Sequence, residues 1–180
     1  MQLTTDNTFA LVIDFQERLM PYIHNHEELA RKTAILVKGC RLLDVPLLTV
    51  QQYTKGLGET VPELREALGE FTHVEKITFS AFKNDEFRGR LPAPGSKHLV
   101  VTGIEAHICV QQTVLDLLEA GHFVTLLADC TGSRFEEDKL YAIRRMEKAG
   151  AVVTTAESAL FEMLIRADHP QRKEISNMVK

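Results

Sequence analysis

The chain has 180 residues, 44% hydrophobic and 26% charged, which fits one domain able to bury roughly 70% of the surface its unfolded form exposes. A formal net charge of −4 leaves no basic footprint for nucleic acid or an anionic lipid surface, and no apolar run approaches the ~18 residues of a helical membrane span. Three cysteines, Cys40, Cys109 and Cys130, are an odd number, which argues against a disulfide framework and for a reducing compartment.

The opening "MQLTTDNTFALVIDF" has no charged segment followed by a long apolar one, so no signal peptide is expected and the cytoplasm is the expected location. Residues 9–14 form a continuous apolar run that ends in an acid. Residues 27–44 carry apolar side chains at Leu29, Ala30, Ala34, Leu36, Val37, Cys40 and Leu43, close to a period of 3.6, and predict a helix. Residues 45–50 read as the next strand and 73–77 as a shorter one. After the turn-rich "LPAPGSK" come the strand "HLVVTG" and a helical pattern from Cys109 to the stop at Gly121. "HFVTLLAD" is a further strand, "EEDKLYAIRRMEKAG" an amphipathic helix closed by Gly150, and "AVVTTA" the last strand. The polar tail "IRADHPQRKEISNMVK" is expected on the outside of the domain or against a neighbouring subunit.

Fully apolar strands alternating with helices indicate an α/β domain spanning 1–180, with a mainly parallel sheet covered on both faces. Such sheets bind ligands beyond the carboxyl ends of their strands. That rule singles out Asp14, Gln51, Lys76, residues 103–109 and Asp129.

Three of these carry the chemistry. Asp14 is either a turn aspartate or a carboxylate at the mouth of the sheet, able to move a proton. Lys76 ends a short strand in "EKITFSAF"; most lysines are solvated, but Ile77, Phe79, Ala81 and Phe82 would bury its surroundings. A nearby carboxylate would then fix a positive charge in a pocket. Cys109 is either an inert small hydrophobe or a nucleophile. At the start of a helix it would feel the positive end of the macrodipole, and a nearby lysine would lower its pKa further toward thiolate. Unpaired N–H groups at the same helix start would be able to hold an oxyanion, with Asp14 carrying the proton.

At these residues the chain resembles the isochorismatase-like cysteine hydrolases, the superfamily that includes nicotinamidases and N-carbamoylsarcosine amidohydrolase. The matching pieces are "LVIDFQ" with Asp14, "EKITFSAF" with Lys76 and "VVTGIEAHICVQQTVLDLLEAG" with Cys109, in the family's order across almost the whole chain. "QQYTKGLGETVPEL" and "FEMLIRADHPQRKEI" look most like the branch of isochorismatase domain-containing proteins. The resemblance implies a Rossmann-like, three-layer α/β/α fold with a six-stranded parallel sheet. It implies an Asp–Lys–Cys triad, with Asp14 as general base and acid, Lys76 polarising the site and Cys109 as nucleophile. It also implies a non-proline cis peptide at Ile104–Glu105 and an oxyanion hole made by the N–H groups of Glu105 and Cys109. Homo-oligomers, dimers or larger rings, are implied as well, with the apolar "SALFEMLI" as a candidate interface.

The departures carry expectations of their own. Nicotinamidases place an Asp and several His residues after the second strand to hold a metal. Here that region reads "VQQYTKGLGETVPEL", with no Asp-x-His and no histidine until His73, so neither a catalytic metal nor another cofactor is expected. Position 105 is generally small in the family. An acid there either points to solvent or selects a substrate with a positive or hydrogen-bond-donating group.

Gln16, Gln51, Gln52 and Tyr53 sit at strand ends as pocket lining or loop polar residues in equal measure. The candidates for substrate contact are Gln16, Gln51, Tyr53, Phe79, Phe82, Ile104 and His107. His107 is read as lining in preference to a Cys–His dyad, because two residues across a helix start do not face each other. Cys40 and Cys130 read as structural thiols. The expected function is cysteine-dependent hydrolysis of a small-molecule amide or related C–N substrate through an acyl-enzyme. Two alternatives stay open: vinyl-ether hydrolysis of isochorismate, with Asp14 as the acid, and a catalytically idle oligomeric or redox-sensing protein.

Overall fold

The computed structural model describes residues 2–180. Six strands, β1 (Thr8–Ile13), β2 (Leu47–Gln52), β3 (His73–Lys76), β4 (His98–Ile104), β5 (Phe123–Gly132) and β6 (Val152–Thr154), form one sheet in the order β3-β2-β1-β4-β5-β6. Every pairing is parallel. The order reverses direction between β1 and β4, which makes the carboxyl ends of those strands the crevice of the sheet.

Six α-helices connect the strands, α1 (His26–Leu42), α2 (Thr54–Leu57), α3 (Pro62–Leu68), α4 (Asp85–Arg90), α5 (Gln111–Glu119) and α6 (Glu136–Lys148), and α7 (Ala156–Leu164) and α8 (Arg172–Met178) follow β6. Phe87 of α4, Val114 and Leu117 of α5, and Ala142 and Met146 of α6 pack with Leu11, Ile13, Leu99 and Val101 on one face. Ala10 and Val100 face the other side, toward Leu36 and Cys40 of α1, Leu160 and Met163 of α7, and Ile175 of α8. Leu64, Ala67 and Leu68 of α3 complete that layer around Val12. A strand buried on both faces needs apolar side chains at successive positions, which is why β1 and β4 read as unbroken apolar runs. The result is the three-layer α/β/α, Rossmann-like architecture. Among the described residues no helix is long and apolar enough to cross a membrane.

Two elements differ from the sequence reading. β5 continues through Gly132, three residues beyond the expected end at Asp129, because a register shift opposite Val101–Gly103 lets it keep pairing with β4. Cys130 therefore lies inside a strand and is fully buried. The apolar "SALFEMLI" segment forms most of α7, and Ala159, Leu160, Met163 and Leu164 are buried in this chain's own core. That segment closes a layer of the fold, and of its apolar side chains Phe161 and Ile165 stay exposed.

Candidate active site

Register brings the strand ends level. Ile13 pairs with both Val50 and Gly103, and Gln52 pairs with Lys76. Asp14 is the first residue past β1, its N–H donating to Val50 O at 3.0 Å. Its φ of 58° is a left-handed conformation that a non-glycine residue rarely adopts, and it turns the side chain into the crevice instead of letting the strand run on. Gly103 is required opposite. A Cβ there would lie 2.7 Å from Ile13 Cβ, 2.8 Å from Ile13 O and 2.9 Å from Val110 Cγ2.

Lys76 Nζ donates to Asp14 Oδ2 at 2.7 Å, and both side chains are 0% exposed. Burial raises the Asp14 carboxyl above the ordinary carboxylate range, with the Lys76 charge working in the opposite direction. Asp14 Oδ1 is buried and has no hydrogen-bond partner among the described residues. Lys76 Nζ also donates to Gln52 Oε1, and Cys109 Sγ lies 3.7 Å from that same oxygen. Gln52 thus joins the cation to the thiol. Its own position is fixed by Nε2 donating to Ile77 O at 2.9 Å and by its backbone N–H donating to Gln16 Oε1 at 2.7 Å.

In the sequence Gln52 reads, like Gln16, Gln51 and Tyr53, as pocket lining or a loop polar residue, and not as a partner of Lys76. Its signal was present, since it is the last residue of β2, but only the pairing with Lys76 separates it from Gln51.

Residues 106–110 form a π-helical turn before α5, so Cys109 precedes the regular helix and does not occupy its first turn. The cause is Glu105 O, which accepts from both Ile108 N at 3.0 Å and Val110 N at 3.2 Å, opening the turn by one residue. Thr113 ties this turn to the segment after Lys76: Oγ1 donates to Cys109 O at 2.7 Å and accepts from Ala81 N at 2.9 Å. The thiol is 7% exposed, and its pKa is pushed up to about 12, first by burial and then by the Asp14 charge, against a smaller opposing effect of Lys76. The expected dipole-activated thiolate is therefore corrected. Desolvation and a carboxylate outweigh the lysine, and the resting group is a thiol with a carboxylate beside it.

The Ile104–Glu105 peptide bond is cis. The Glu105 N–H donates no hydrogen bond to any described residue. The Glu105 carboxylate is 11% exposed and accepts from Arg134 Nε at 2.9 Å and Arg134 N at 3.2 Å. Its charge is thereby paired, so it neither points freely to solvent nor offers an open acid for a cationic substrate. Beside it lies a cavity of 330 Å³ walled by Arg18, Leu19, Tyr22, Ile23, Glu105 and Arg134.

The remaining candidates for substrate contact have other occupations. Gln16 Nε2 donates to Gln52 O at 3.0 Å and Gly58 O at 2.7 Å, so a fully buried side chain serves the backbone of the loop. Gln51 is equally buried and bonded to Thr60 and Thr54. Ile104 is fully buried, packed with Phe15 and Ile23 in the core. His107 turns from the crevice, with Nδ1 2.9 Å from Ser133 Oγ and Nε2 3.8 Å from Asp138. Phe82 packs edge-on to His122 with the Arg88 guanidinium over its ring, a structural role. Phe79 is exposed and lines an outer groove with Ile77 and Asp116. Tyr53 stays at the rim, half-exposed, its N–H donating to Lys76 O. Among the described residues no three His, Cys, Asp or Glu side chains cluster closely enough to hold a metal ion. The carboxamides at the end of β2, Gln51 and Gln52, are already bonded within the protein, so the donor set there does not fit one.

A family model described as the Isochorismatase domain matches residues 8–158. The chain belongs to the isochorismatase family. Isochorismatase domain-containing protein 1 of Salmo salar is 38% identical over 167 residues, covering 93% of this chain; the chain spans 59% of that relative's length. Isochorismatase domain-containing protein 2 of Danio rerio is 35% identical over 180 residues, 99% of this chain and 89% of that protein. Among solved structures of similar fold, the MAR1 ribonuclease from Caenorhabditis elegans superposes with a TM-score of 0.91 at 34% identity, covering 99% of this isochorismatase-family chain and 92% of its own.

Proposed function

We propose that this isochorismatase-family chain is a hydrolase of a small amide or related C–N substrate, using Asp14, Lys76 and Cys109. The observation that carries the reading is the buried Asp14–Lys76 pair, linked through Gln52 to the Cys109 thiol. Because Lys76 occupies Asp14 Oδ2, Oδ1 is the oxygen left to receive a proton. Cys109 Sγ attacks the carbonyl carbon as its proton passes to Asp14. The oxyanion forms against the N–H groups of Glu105 and Cys109. Protonated Asp14 returns the proton to the departing nitrogen, leaving a thioester on Cys109. Water, deprotonated by Asp14, then hydrolyses the thioester to a carboxylic acid and restores the thiol. A thiol that ionises only during attack suits a site where a carboxylate base is already in place.

The test is ammonia release from a panel of small primary amides with wild type, Cys109→Ala and Asp14→Asn. Each variant should lose at least ~10³ of the rate on any substrate found, as removal of a nucleophile or its base does elsewhere. Full turnover by Cys109→Ala would defeat the mechanism. Pyruvate release from isochorismate that needs Asp14 but not Cys109 would replace it with vinyl-ether hydrolysis.

The likeness to a protein described as a ribonuclease supports a second reading, cleavage of RNA. Against it stand a net charge of −4 and a reactive pair with no exposed surface, which a polyanionic strand would have to reach. Incubation with a fluorogenic single-stranded RNA separates the two. Cleavage lost in Cys109→Ala would favour the ribonuclease reading.

A further inference from the structure

A cavity of 500 Å³ opens at the opposite end of the sheet from Asp14, where β2 and β3 begin. Its floor is apolar. Leu48 and Leu68 are buried there, with Leu47 and Phe71 half-buried beside them. Two cations stand over that floor: Arg41 from the last turn of α1 and Arg90 from the end of α4.

Neither guanidinium is tied up by acids on the cavity side. Arg41 Nη1 donates to Ala67 O at 3.0 Å, and among the described residues no carboxylate lies within ion-pair distance of it. Arg90 Nη2 donates to Thr72 Oγ1 at 2.9 Å, and its one acidic neighbour is Glu86 at 3.6 Å on its own helix. A neutral acceptor holds Arg41, and Thr72 together with Glu86 of its own helix holds Arg90, which leaves N–H donors of both groups unused. The Arg41 group also lies against Gly69, where a Cβ would approach Nη1 to 2.9 Å, so the loop is shaped to admit it. With Arg41 and Arg90 against a single acid, Glu70, on the rim, the lining carries a small net positive charge, which suits a singly charged anion better than a polyanion.

We propose that this cavity binds a small organic anion with one carboxylate-like group and a flat apolar body. The anionic group lies between Arg41 and Arg90, which recognise planar oxyanions through paired N–H donors, and the body covers Leu47, Leu68 and Phe71. The site is separate from the crevice: about 10 Å of β2 lies between Thr49 in the cavity wall and Gln52. It does not depend on the chemistry assigned to Cys109.

The test is an NMR titration of the ¹⁵N-labelled full chain with 2-naphthoate, its neutral counterpart 2-naphthalenemethanol, and inorganic phosphate. Naphthoate should shift the amides of Leu48, Thr49, Phe71 and Thr72 saturably, with the alcohol and phosphate each binding at least tenfold more weakly. Arg41→Gln and Arg90→Gln should each weaken naphthoate about tenfold with unchanged spectra elsewhere, which shows that the variants fold. Equal binding of the alcohol or of phosphate would overturn the proposal. So would naphthoate shifts centred on Gln52, Lys76 and Cys109, or no saturable shift at any site.

Discussion

Lys76 and Asp14, 62 positions apart in the chain, meet at 2.7 Å with neither side chain exposed. Charges withdrawn from water this completely persist only when each is the other's partner. The pair is consequently both a structural bond and the centre of the candidate site, and the two roles can be separated by experiment. Removing one partner strands the other, so Lys76→Met and Asp14→Asn should each destabilise the fold by about 3–5 kcal/mol. The double variant Lys76→Met/Asp14→Asn should cost less than the sum, measured by urea unfolding at pH 7. Strict additivity would mean that the two groups do not interact energetically.

Gln52 is predicted to matter for turnover more than for folding. Gln52→Leu removes the oxygen between Lys76 and Cys109 but leaves the backbone bond to Gln16. On an amide found by screening, kcat should fall by about 10²-fold, the usual scale for losing a positioned polar group, with a small change in melting temperature. A Gln52→Leu enzyme with unchanged kcat would place the residue outside the machinery.

Alkaline pH should destabilise the protein through its thiols. Burial raises the pKa of Cys40 and Cys109 to about 12, and raises that of Cys130 as well. A folded-state pKa above the unfolded one means that the folded chain holds its proton more tightly. The stabilisation is complete below the unfolded value near ~8.5 and is lost as pH rises toward about 12. Each such thiol contributes a slope of about −1.4 kcal/mol per pH unit in that window. Urea midpoints at pH 8 and pH 10 should differ accordingly, and Cys40→Ala should reduce the difference.

The same burial bears on reactivity. Iodoacetamide labelling of Cys109, followed by mass spectrometry, should keep rising beyond pH 9 without an inflection in the neutral range. An inflection near pH 7 would restore the preformed thiolate and with it the redox-sensing alternative.

Gly103 couples fold to site. A Cβ would press on Ile13, which precedes Asp14, and on Val110, which follows Cys109. Gly103→Ala should therefore destabilise by about 1–3 kcal/mol and reduce turnover beyond that of an equally destabilised core variant. Unfolding and kinetics on the same preparation test this; wild-type rates would show that the crevice tolerates the shift.

Much was legible in one dimension because the cause was local. Apolar runs at residues 9–14 and 98–103 mark strands buried on both faces, and the 3.6-residue period marks α1 and α6. The candidate residues Asp14, Lys76 and Cys109 stand out as polar or reactive groups at strand ends. The short helices α2, α3, α4 and α8 are not legible, since seven residues or fewer give too few turns for periodicity to declare itself, and α7 reads only as an apolar segment. Gln16 and Gln51 were misjudged for a different reason. A glutamine at a strand end looks the same whether it faces a ligand or satisfies buried backbone, and only the loop folded back to Gly58 and Thr60 decides which.

The sequence by itself determined the class of fold and the order in which an acid, a lysine and a cysteine arrive at the mouth of a parallel sheet, because both follow from residue type and spacing; the family came from resemblance to known proteins. Tertiary structure alone decided how those groups stand electrically. Parallel register set Gln52 beside Lys76, and complete burial made a mutual ion pair of Asp14 and Lys76. The same burial kept Cys109 protonated at rest, and Arg134 paired the Glu105 carboxylate. Charge state depends on solvent and neighbours in three dimensions, and no spacing along the chain encodes either.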